Sequence, residues 1–221
     1  MDFNNNFYYH IYNRGVDKRE VFLDKWDYRR FLDSLREFNQ IEPIGSLYYY
    51  KRNLDKTYKT SDVFERHRMS ESALVYIIAY CLNPNHYHLL VQQRIDSGIS
   101  KLMMKLGNGY TKYFNEKYNR SGSLFQGKYK VKEVKSTYGL IKLSVYVNCN
   151  AEIHNIAKKE EWPWSSYQKY ISVVSNTNRC LEQQTKEVLS EFKNIEEYKN
   201  FCEELLPDIK AIKNLEKYGL E

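Results

Sequence analysis

The spacing of apolar and polar residues predicts alternating strands and helices over the first 150 residues. Around Tyr9 the apolar side chains alternate with polar ones, as in a half-buried strand, whereas after Asp24 they recur at helical spacing. Asp24 and Ser136 are expected to cap the helices that follow them. The predicted elements are strand 7–13, a helix after Asp24, strands 73–82 and 86–92 joined by a turn at 83–85, helix 97–117, strand 128–135 and helix 136–150.

The order of these elements predicts the fold class. Strand, helix, strand, strand, helix and strand follow each other as in the split βαβ, ferredoxin-like arrangement. We therefore expect an α+β protein, with a ferredoxin-like sheet, helices on one face and a helical C-terminal extension. The segment from about 41 to 72 is interpreted as an insertion. The expected domains are residues 1–173, which include this insertion, and the helical extension 174–221.

Composition excludes several classes of protein. Hydrophobic residues make up 42% of the 221 residues, which is typical of a globular chain. The longest apolar stretch, Ala73 to Leu82, is too short to cross a bilayer, and the first residues lack a signal-peptide pattern. The four cysteines are widely spaced and are expected to be free thiols in a reducing compartment. A cytoplasmic protein with no membrane partner is predicted.

The positive charge is concentrated in the middle of the chain. The whole chain has a net charge of +6, whereas residues 101–135 contain nine Lys or Arg and two Glu, a net of +7. Tyr and Phe lie between these basic residues, a composition that suits contacts with the phosphates and bases of a nucleic acid. A solvated helix face would explain the same charges, and the charge pattern alone does not separate the two interpretations.

Four residues could carry chemistry. His86 and His88 are two apart on a predicted strand and so share a face, where imidazoles can hold a divalent ion. Tyr146 and Asn150 are four apart on a predicted helix, and an amide oxygen suits Mg²⁺ or Mn²⁺. A tyrosine beside that ion could attack a phosphorus atom. An isolated His-x-His is more often a pair of half-buried strand histidines, and most of the 21 tyrosines are expected to pack.

Several blocks of sequence together resemble one family. AYCLNPNHYHLLVQ (79–92) resembles the His-hydrophobic-His strand of the single-tyrosine transposase superfamily, with Tyr87 at the bulky position. The nearest resemblance is to the repeat-associated (REP-associated) tyrosine transposases. The resemblance covers about residues 8–167, apart from the insertion, and its other blocks are YHIYNRGVDKREVF (9–22), DYRRFL (27–32), GISKLMMKLGNGYTKYFNEKYNRSGSLFQGKYK (98–130), LSVYVNCNAEIH (143–154) and WPWSSY (162–167).

The resemblance implies a metal-dependent single-stranded DNA endonuclease and strand transferase. Tyr146 falls on the family's nucleophile, and His86, His88 and Asn150 fall on its ligands for Mg²⁺ or Mn²⁺. The implied intermediate is a 5′-phosphotyrosine at the end of a DNA hairpin or repeat. The family usually has Pro after the ligand Asn, where this chain has Ala151.

A second alignment would place Ser144 on the nucleophile and Asn148 on the third ligand. The spacing to the WPWSSY block favours Tyr146 and Asn150 instead.

The implied partners are single-stranded DNA and DNA hairpins, with a nucleoid-associated location. Tyr113, Tyr118, Phe125 and Tyr129 are candidates for base stacking, although aromatic residues on a helix more often pack in a core. Monomer and homodimer both stay open. The predicted DNA-binding residues are Arg14, Lys101, Lys105, Lys112, Lys117, Arg120, Lys128, Lys130 and Lys132.

Two alternatives to a DNA-nicking enzyme stay open. The first is a non-catalytic DNA hairpin-binding protein derived from a transposase, which the insertion and the tail favour. The second is a zinc hydrolase built on the His-x-His pair, although the amide ligand makes zinc the less suitable ion.

Overall fold

The computed structural model describes residues 3–42, 72–172 and 185–217 of the chain. Most of the predicted 41–72 insertion lies outside these residues. Residues 185–189 are also helical, and a short 3₁₀ turn lies at Val16–Lys18. The main elements are β1 (Tyr8–Arg14), α1 (Lys25–Glu37), β2 (Val75–Asn83), β3 (His86–Gln93), α2 (Gly98–Lys117), β4 (Lys130–Val134), α3 (Thr137–Asn148), α4 (Asn150–Ile153), α5 (Tyr167–Ile171) and α6 (Ile195–Lys217).

The four strands form one antiparallel sheet in the order β2-β3-β1-β4. This is the order of a split βαβ fold, so the predicted α+β, ferredoxin-like class is confirmed. The tight β2–β3 hairpin pairs Asn83 with His86, and β1 places Tyr12 opposite His88. Strand β3 is therefore paired with β2 on one side and with β1 on the other, and its histidine end lies at the hairpin.

Both faces of the sheet are covered. Tyr87, Leu89 and Val91 of β3 point to one face, where they pack against α1 and α2. These are the two helices of the split βαβ unit, and they share one face as predicted. Leu90 points to the opposite face, which α3, α4, α5 and α6 cover. The sequence did not predict this second layer, and it is the layer that contains the predicted nucleophile.

The helix boundaries follow from local capping. The carboxylate of Asp24 accepts hydrogen bonds from the backbone N–H groups of Trp26 and Asp27, and Ser136 Oγ accepts one from Gly139. Both predicted N-caps are therefore confirmed. The helix predicted to run from Ser136 to about Asn150 instead ends at Asn148, and α4 begins after Cys149.

The C-terminal helix α6 packs on the same layer as α3. Its side chains Tyr198, Cys202 and Leu206 are buried in a cluster that also contains Val145 and Val147 of α3. The extension thus shares a core with the sheet domain, although the sequence showed no clear core pattern there. The division into residues 1–173 and 174–221 stays a prediction. No helix within 3–42, 72–172 and 185–217 is long and apolar enough to span a membrane.

Candidate active site

The hairpin end of β3 places two histidines on one face of the sheet, as the period of a strand predicts. His86 is half-buried and His88 is buried. Their rings meet edge to face, with centroids 5.2 Å apart. Asn85 Oδ1 lies 2.6 Å from Nδ1 of His86 and can only accept a hydrogen bond, which assigns the proton to Nδ1 and the lone pair to Nε2. That nitrogen points towards α4.

The helical layer places Asn150 and Tyr146 over this pair of histidines. Asn150 Oδ1 lies 3.3 Å from His86 Nε2. The ring of Tyr146 meets the edge of His88, with centroids 5.4 Å apart. The structure therefore brings together all four residues that the sequence singled out, from β3, α3 and α4.

The same geometry favours one of the two sequence alignments. Ser144 and Asn148 are buried, and Ser144 Oγ donates to the backbone carbonyl of Ile141. Asn148 accepts a hydrogen bond from Ser166 Oγ and donates one to Tyr198 Oη. These hydrogen bonds are internal to the core. The alternative alignment would therefore use Asn148, a residue of the core, as the third metal ligand.

Asn83, at the end of β2, was not predicted as a site residue. Its amide nitrogen donates to Asn150 Oδ1 at 2.7 Å and lies 2.9 Å from His86 Nε2. It is fully buried. A donor thus lies between two of the atoms predicted to bind a cation. Asn83 was visible in the sequence only as a turn residue.

The residues present fit a divalent cation. Two ligand atoms about 2.1 Å from one octahedral ion lie about 3 Å apart, close to the 3.3 Å between His86 Nε2 and Asn150 Oδ1. The side-chain nitrogen of Asn150 is buried with no hydrogen-bond partner, whereas its oxygen accepts the hydrogen bond from Asn83. In the described part of the chain no three His, Cys, Asp or Glu side chains form a group that could hold a metal ion.

Two further histidines complete the cluster, so that it contains four of the chain's five. His10 Nε2 lies 2.8 Å from His88 Nδ1, and the His154 ring lies 4.5 Å from that of His86. The sequence spacing is consistent with both positions, because His10 lies on a predicted strand and His154 follows Asn150 by four residues. The sequence analysis did not predict either residue as part of the site.

The four imidazoles are held neutral. Burial, and then the charge of Lys132, lowers the pKa of His10 to about 4. Burial lowers the pKa of His86 to about 4 and that of His154 to about 3, and it lowers the pKa of His88 well below its ordinary value. A neutral imidazole keeps the lone pair that a metal requires.

Helix α6 adds a cation to the cluster. Lys213 Nζ lies 3.5 Å from the hydroxyl of Tyr146 and 2.5 Å from His154 Nε2. It also lies 5.6 Å from the centre of the Tyr146 ring. Lys213 is 67 residues from Tyr146 along the chain, so no local pattern could have connected them.

Three of the predicted DNA-binding residues flank the site. In the sheet register Arg14 is opposite His86, Lys130 is opposite Tyr12, and Lys132 is opposite His10. Since cross-strand partners share a face, these side chains lie on the site side. All three are exposed, and the two lysines are on the edge strand β4.

The remaining predicted basic residues lie elsewhere. Lys101, Lys105 and Lys112 are on α2, in the layer on the other face of the sheet. Arg120 is held within its loop by Asn115 and the carbonyl of Ser123, and Lys128 is exposed before β4.

Lys117 takes part in an internal network at the N-terminus of α1. Its ammonium lies 2.7 Å from Asp27 and 2.8 Å from Asp24. Tyr113 and Tyr118, two of the stacking candidates, donate their hydroxyl protons to the buried Asp27. This network connects α1 to α2. Lys117, Tyr113 and Tyr118, which the sequence predicted to contact DNA, therefore have a structural role here.

The other two stacking candidates differ in exposure. Phe125 is buried in the core beside Tyr87, which leaves its face no access to a base. Tyr129 is half-buried, next to Lys128, whose ammonium lies 5.6 Å from its ring centre.

Sheet topology and site together define the chain as a ferredoxin-like α+β protein that carries a histidine, asparagine and tyrosine cluster on one face of its sheet. Comparison with protein families indicates which family it resembles. The family model described as "Transposase IS200 like" matches residues 50–150, a range that includes both strand histidines, Tyr146 and Asn150. The family resemblance predicted from the sequence, to the single-tyrosine transposases, is thereby confirmed.

A solved structure has the same fold. It is described as a REP-associated tyrosine transposase bound to a REP hairpin, and it is 13% identical to this chain with a TM-score of 0.50. The similarity covers 77% of this chain and 82% of that one. Comparison with curated protein sequences found no match.

Proposed function

We propose that this chain nicks and rejoins single-stranded DNA through a covalent bond to Tyr146. The main support for the proposal is that Tyr146 and Asn150, from the consecutive helices α3 and α4, lie beside His86 and His88 of β3. His86 and Asn150 are 64 residues apart in the sequence. The family of the match at residues 50–150 supports a role in transposition. The hairpin in the similar solved structure supports DNA hairpins and repeat ends as substrates.

The proposed chemistry is a pair of reversible transesterifications. The Tyr146 oxygen attacks the scissile phosphorus and forms an O–P bond, while the bond from phosphorus to the 3′ oxygen breaks. The phenolic proton passes to solvent, and the departing 3′ oxygen gains a proton from solvent. A 3′-OH then attacks the phosphotyrosine and restores a DNA bond. Because each step exchanges one phosphodiester for another, no nucleotide cofactor is needed.

His86, His88 and Asn150 are the residues that would hold Mg²⁺ or Mn²⁺. When bound, such an ion supplies Lewis-acid polarisation of the scissile phosphate. The chain's own residues prepare the site. Asn85 fixes the tautomer of His86, and His10 Nε2 can accept a hydrogen bond from the Nδ1–H group of His88, which leaves Nε2 of His88 available.

Arg14, Lys130 and Lys132 are the basic residues that we expect to bind the DNA strand at the site. They are exposed on the same side of the sheet as the histidines. Phosphate contacts from such residues position a nucleic acid without reading its sequence. The mass of the complex in solution distinguishes one chain per hairpin from two.

A non-catalytic hairpin-binding protein is the second candidate function. The hydrogen bond from Asn83 to Asn150 favours it, because a ligand atom is already engaged by a donor. In that case the protein would bind hairpins equally well with and without a divalent ion.

The test is covalent capture of DNA. A library of hairpins with randomised single-stranded flanks, labelled at the 3′ end, is incubated with Mn²⁺ and resolved on a denaturing gel. The proposal predicts labelled protein for the wild type and none for Tyr146→Phe. The matched control is Tyr138→Phe, which removes the hydroxyl of an exposed tyrosine on the same helix.

Equal labelling of Tyr146→Phe and wild type would show that the nucleophile is another group. Hairpin binding without any labelled protein, with and without Mn²⁺, would support the non-catalytic candidate. Zinc retained at one ion per chain and lost in His88→Ala would instead favour the hydrolase.

A further inference from the structure

We propose that Lys213 of the C-terminal helix is a catalytic residue of the same site, stabilising the negative charge of the phosphate that Tyr146 attacks and of the tyrosine oxygen when it leaves. The inference rests on the proposed function. It also assigns the C-terminal extension a part in the reaction, although Lys213 lies beyond residues 50–150, where the family model matches.

The proposal depends on the position of the Lys213 ammonium. Lys213 Nζ is 3.5 Å from Tyr146 Oη, at the long end of hydrogen bonding. Catalytic hydrogen bonds are often long before substrate binds and shorten in the complex. The side chain is half-buried, and its ammonium also lies 2.5 Å from His154 Nε2.

Helix α6 is fixed relative to the helix that carries Tyr146. Tyr198 Oη accepts a hydrogen bond from Asn148 of α3 at 2.9 Å. Near the other end, Lys210 binds Glu152 of α4 at 3.1 Å.

Between these two contacts, Glu203 binds the buried ammonium of Lys159 at 2.5 Å. Three contacts spread along the helix hold Lys213 in register with the nucleophile, and such rigidity is what a positioned catalytic charge requires.

The chemical role follows from where negative charge develops. As the O–P bond forms and the bond to the 3′ oxygen breaks, charge increases on the non-bridging phosphate oxygens. In the return step, the bond from phosphorus to Tyr146 breaks and the tyrosine oxygen leaves with the electron pair. An ammonium beside Oη can donate to either oxygen without giving up a proton, so Lys213 stabilises both transition states.

The experiment measures the rate of adduct formation at saturating DNA, using the 3′-labelled hairpin library and Mn²⁺. Removing one preorganised donor typically lowers a rate by about 10²-fold, and we expect this loss for Lys213→Met. Lys213→Arg keeps the positive charge and should restore most of the rate. Lys199→Met is the matched control, because it removes a lysine that pairs with Glu196 on the exposed side of the same helix.

A second readout separates catalysis from packing. A methylphosphonate at the mapped cleavage position removes the charge of one non-bridging oxygen. If Lys213 acts on that charge, Lys213→Met should slow the modified substrate much less than the natural one. If Lys213 were purely structural, Lys213→Met would slow the reaction of both substrates equally. It would also lower the unfolding temperature more than Lys213→Arg does.

The outcomes are distinguishable. Wild type that forms adduct, together with a Lys213→Met variant that forms it at the same saturating rate, overturns this inference and leaves the proposed function standing. Equal slowing of both substrates overturns it as well. If the wild type forms no adduct with any library member, the proposed function fails and this inference fails with it.

Discussion

Asn83 occupies the place where the ligand atoms of the site converge. Its amide N–H group donates to Asn150 Oδ1, and the same nitrogen lies 2.9 Å from His86 Nε2. A cation held by those two atoms would meet the positive end of this dipole. The Asn83 amide must therefore turn when an ion binds, and this rearrangement opposes binding.

The first prediction is that Asn83→Asp binds Mn²⁺ more tightly than the wild type. The change is isosteric, and it replaces a donor with a negative oxygen beside the ion. At a partly buried site, one such charge is worth about tenfold or more in affinity. Calorimetric titration of the DNA-free protein with Mn²⁺ measures this difference. Equal or weaker binding by Asn83→Asp would show that the ion does not lie beside this residue.

The second prediction concerns pH. The folded pKa of His10 and His86, about 4, lies below the 6.5 of a free histidine, so the unfolded chain binds more protons between these values. Stability should therefore be full above pH 6.5 and fall as the pH is lowered towards 4. Each histidine that stays neutral in the folded protein lowers the free energy of unfolding by about 2 kcal/mol at pH 5.

Urea unfolding with a chelator present, at pH 7 and pH 5, measures this loss. His10→Gln removes one titrating group and should reduce the difference between the two pH values. Identical stability at pH 7 and pH 5 would contradict the buried neutral state of these imidazoles.

The edge strand β4 is the element that distinguishes the basic residues beside the site from the others. Its two exposed lysines are in register with His10 and Tyr12, whereas the lysines of α2 lie in the opposite layer. The high charge of residues 101–135 is therefore divided between two sides of the sheet, which charge counting along a sequence cannot reveal.

The third prediction compares two double variants with the same change in charge. Lys130→Gln with Lys132→Gln should weaken hairpin binding more than Lys101→Gln with Lys112→Gln does. Loss of two phosphate contacts on a single strand lowers the salt dependence of log affinity by about 1.4. Fluorescence anisotropy across a salt series measures both quantities. A larger loss from the α2 pair would show that DNA passes over the other face of the sheet.

Element boundaries near the site could be predicted, since they depend on local chemistry. Asp24 and Ser136 cap their helices as expected, and the turn at 83–85 creates the hairpin that carries His86 and His88. The break at Cys149 was not predicted. It separates Asn150 from the helix of Tyr146, so the two residues are on consecutive helices rather than on one continuous helix.

At the scale of the whole molecule, the C-terminal extension and the sheet domain share one core. Tyr198 of α6 is fully buried and hydrogen-bonded to Asn148, the residue at the end of the helix that carries Tyr146. The buried Lys159 joins Glu152 of α4 to Glu203 of α6. A destabilising substitution in the extension should therefore lower the stability of the entire fold.

The fourth prediction is that Tyr198→Phe destabilises the whole protein in a single transition. It leaves the buried Asn148 side chain without its acceptor, at a cost of about 1–3 kcal/mol. Urea unfolding followed by far-ultraviolet circular dichroism measures the change. Tyr138→Phe, at a position that is 58% exposed, should change stability little. Two separate transitions would mean that the extension folds independently.

The sequence predicted the sheet, the hairpin and the four residues His86, His88, Tyr146 and Asn150, because local periodicity and family motifs specify them. It did not predict Asn83, His10, His154 or Lys213. Each of these reaches the site through contacts between distant parts of the chain, such as the 78 residues that separate His10 from His88. Such contacts follow from how the layers pack, which no local pattern records.

The identity of the amino acid that becomes linked to DNA decides whether Tyr146 is the nucleophile. Wild-type protein is allowed to react with the hairpin library and Mn²⁺, then digested with nuclease and protease and analysed by mass spectrometry. We expect one modified peptide, with a nucleotide linked through its 5′ phosphate to Tyr146. A nucleotide on any other residue, or hairpins bound and released with no modified peptide at all, would contradict this expectation.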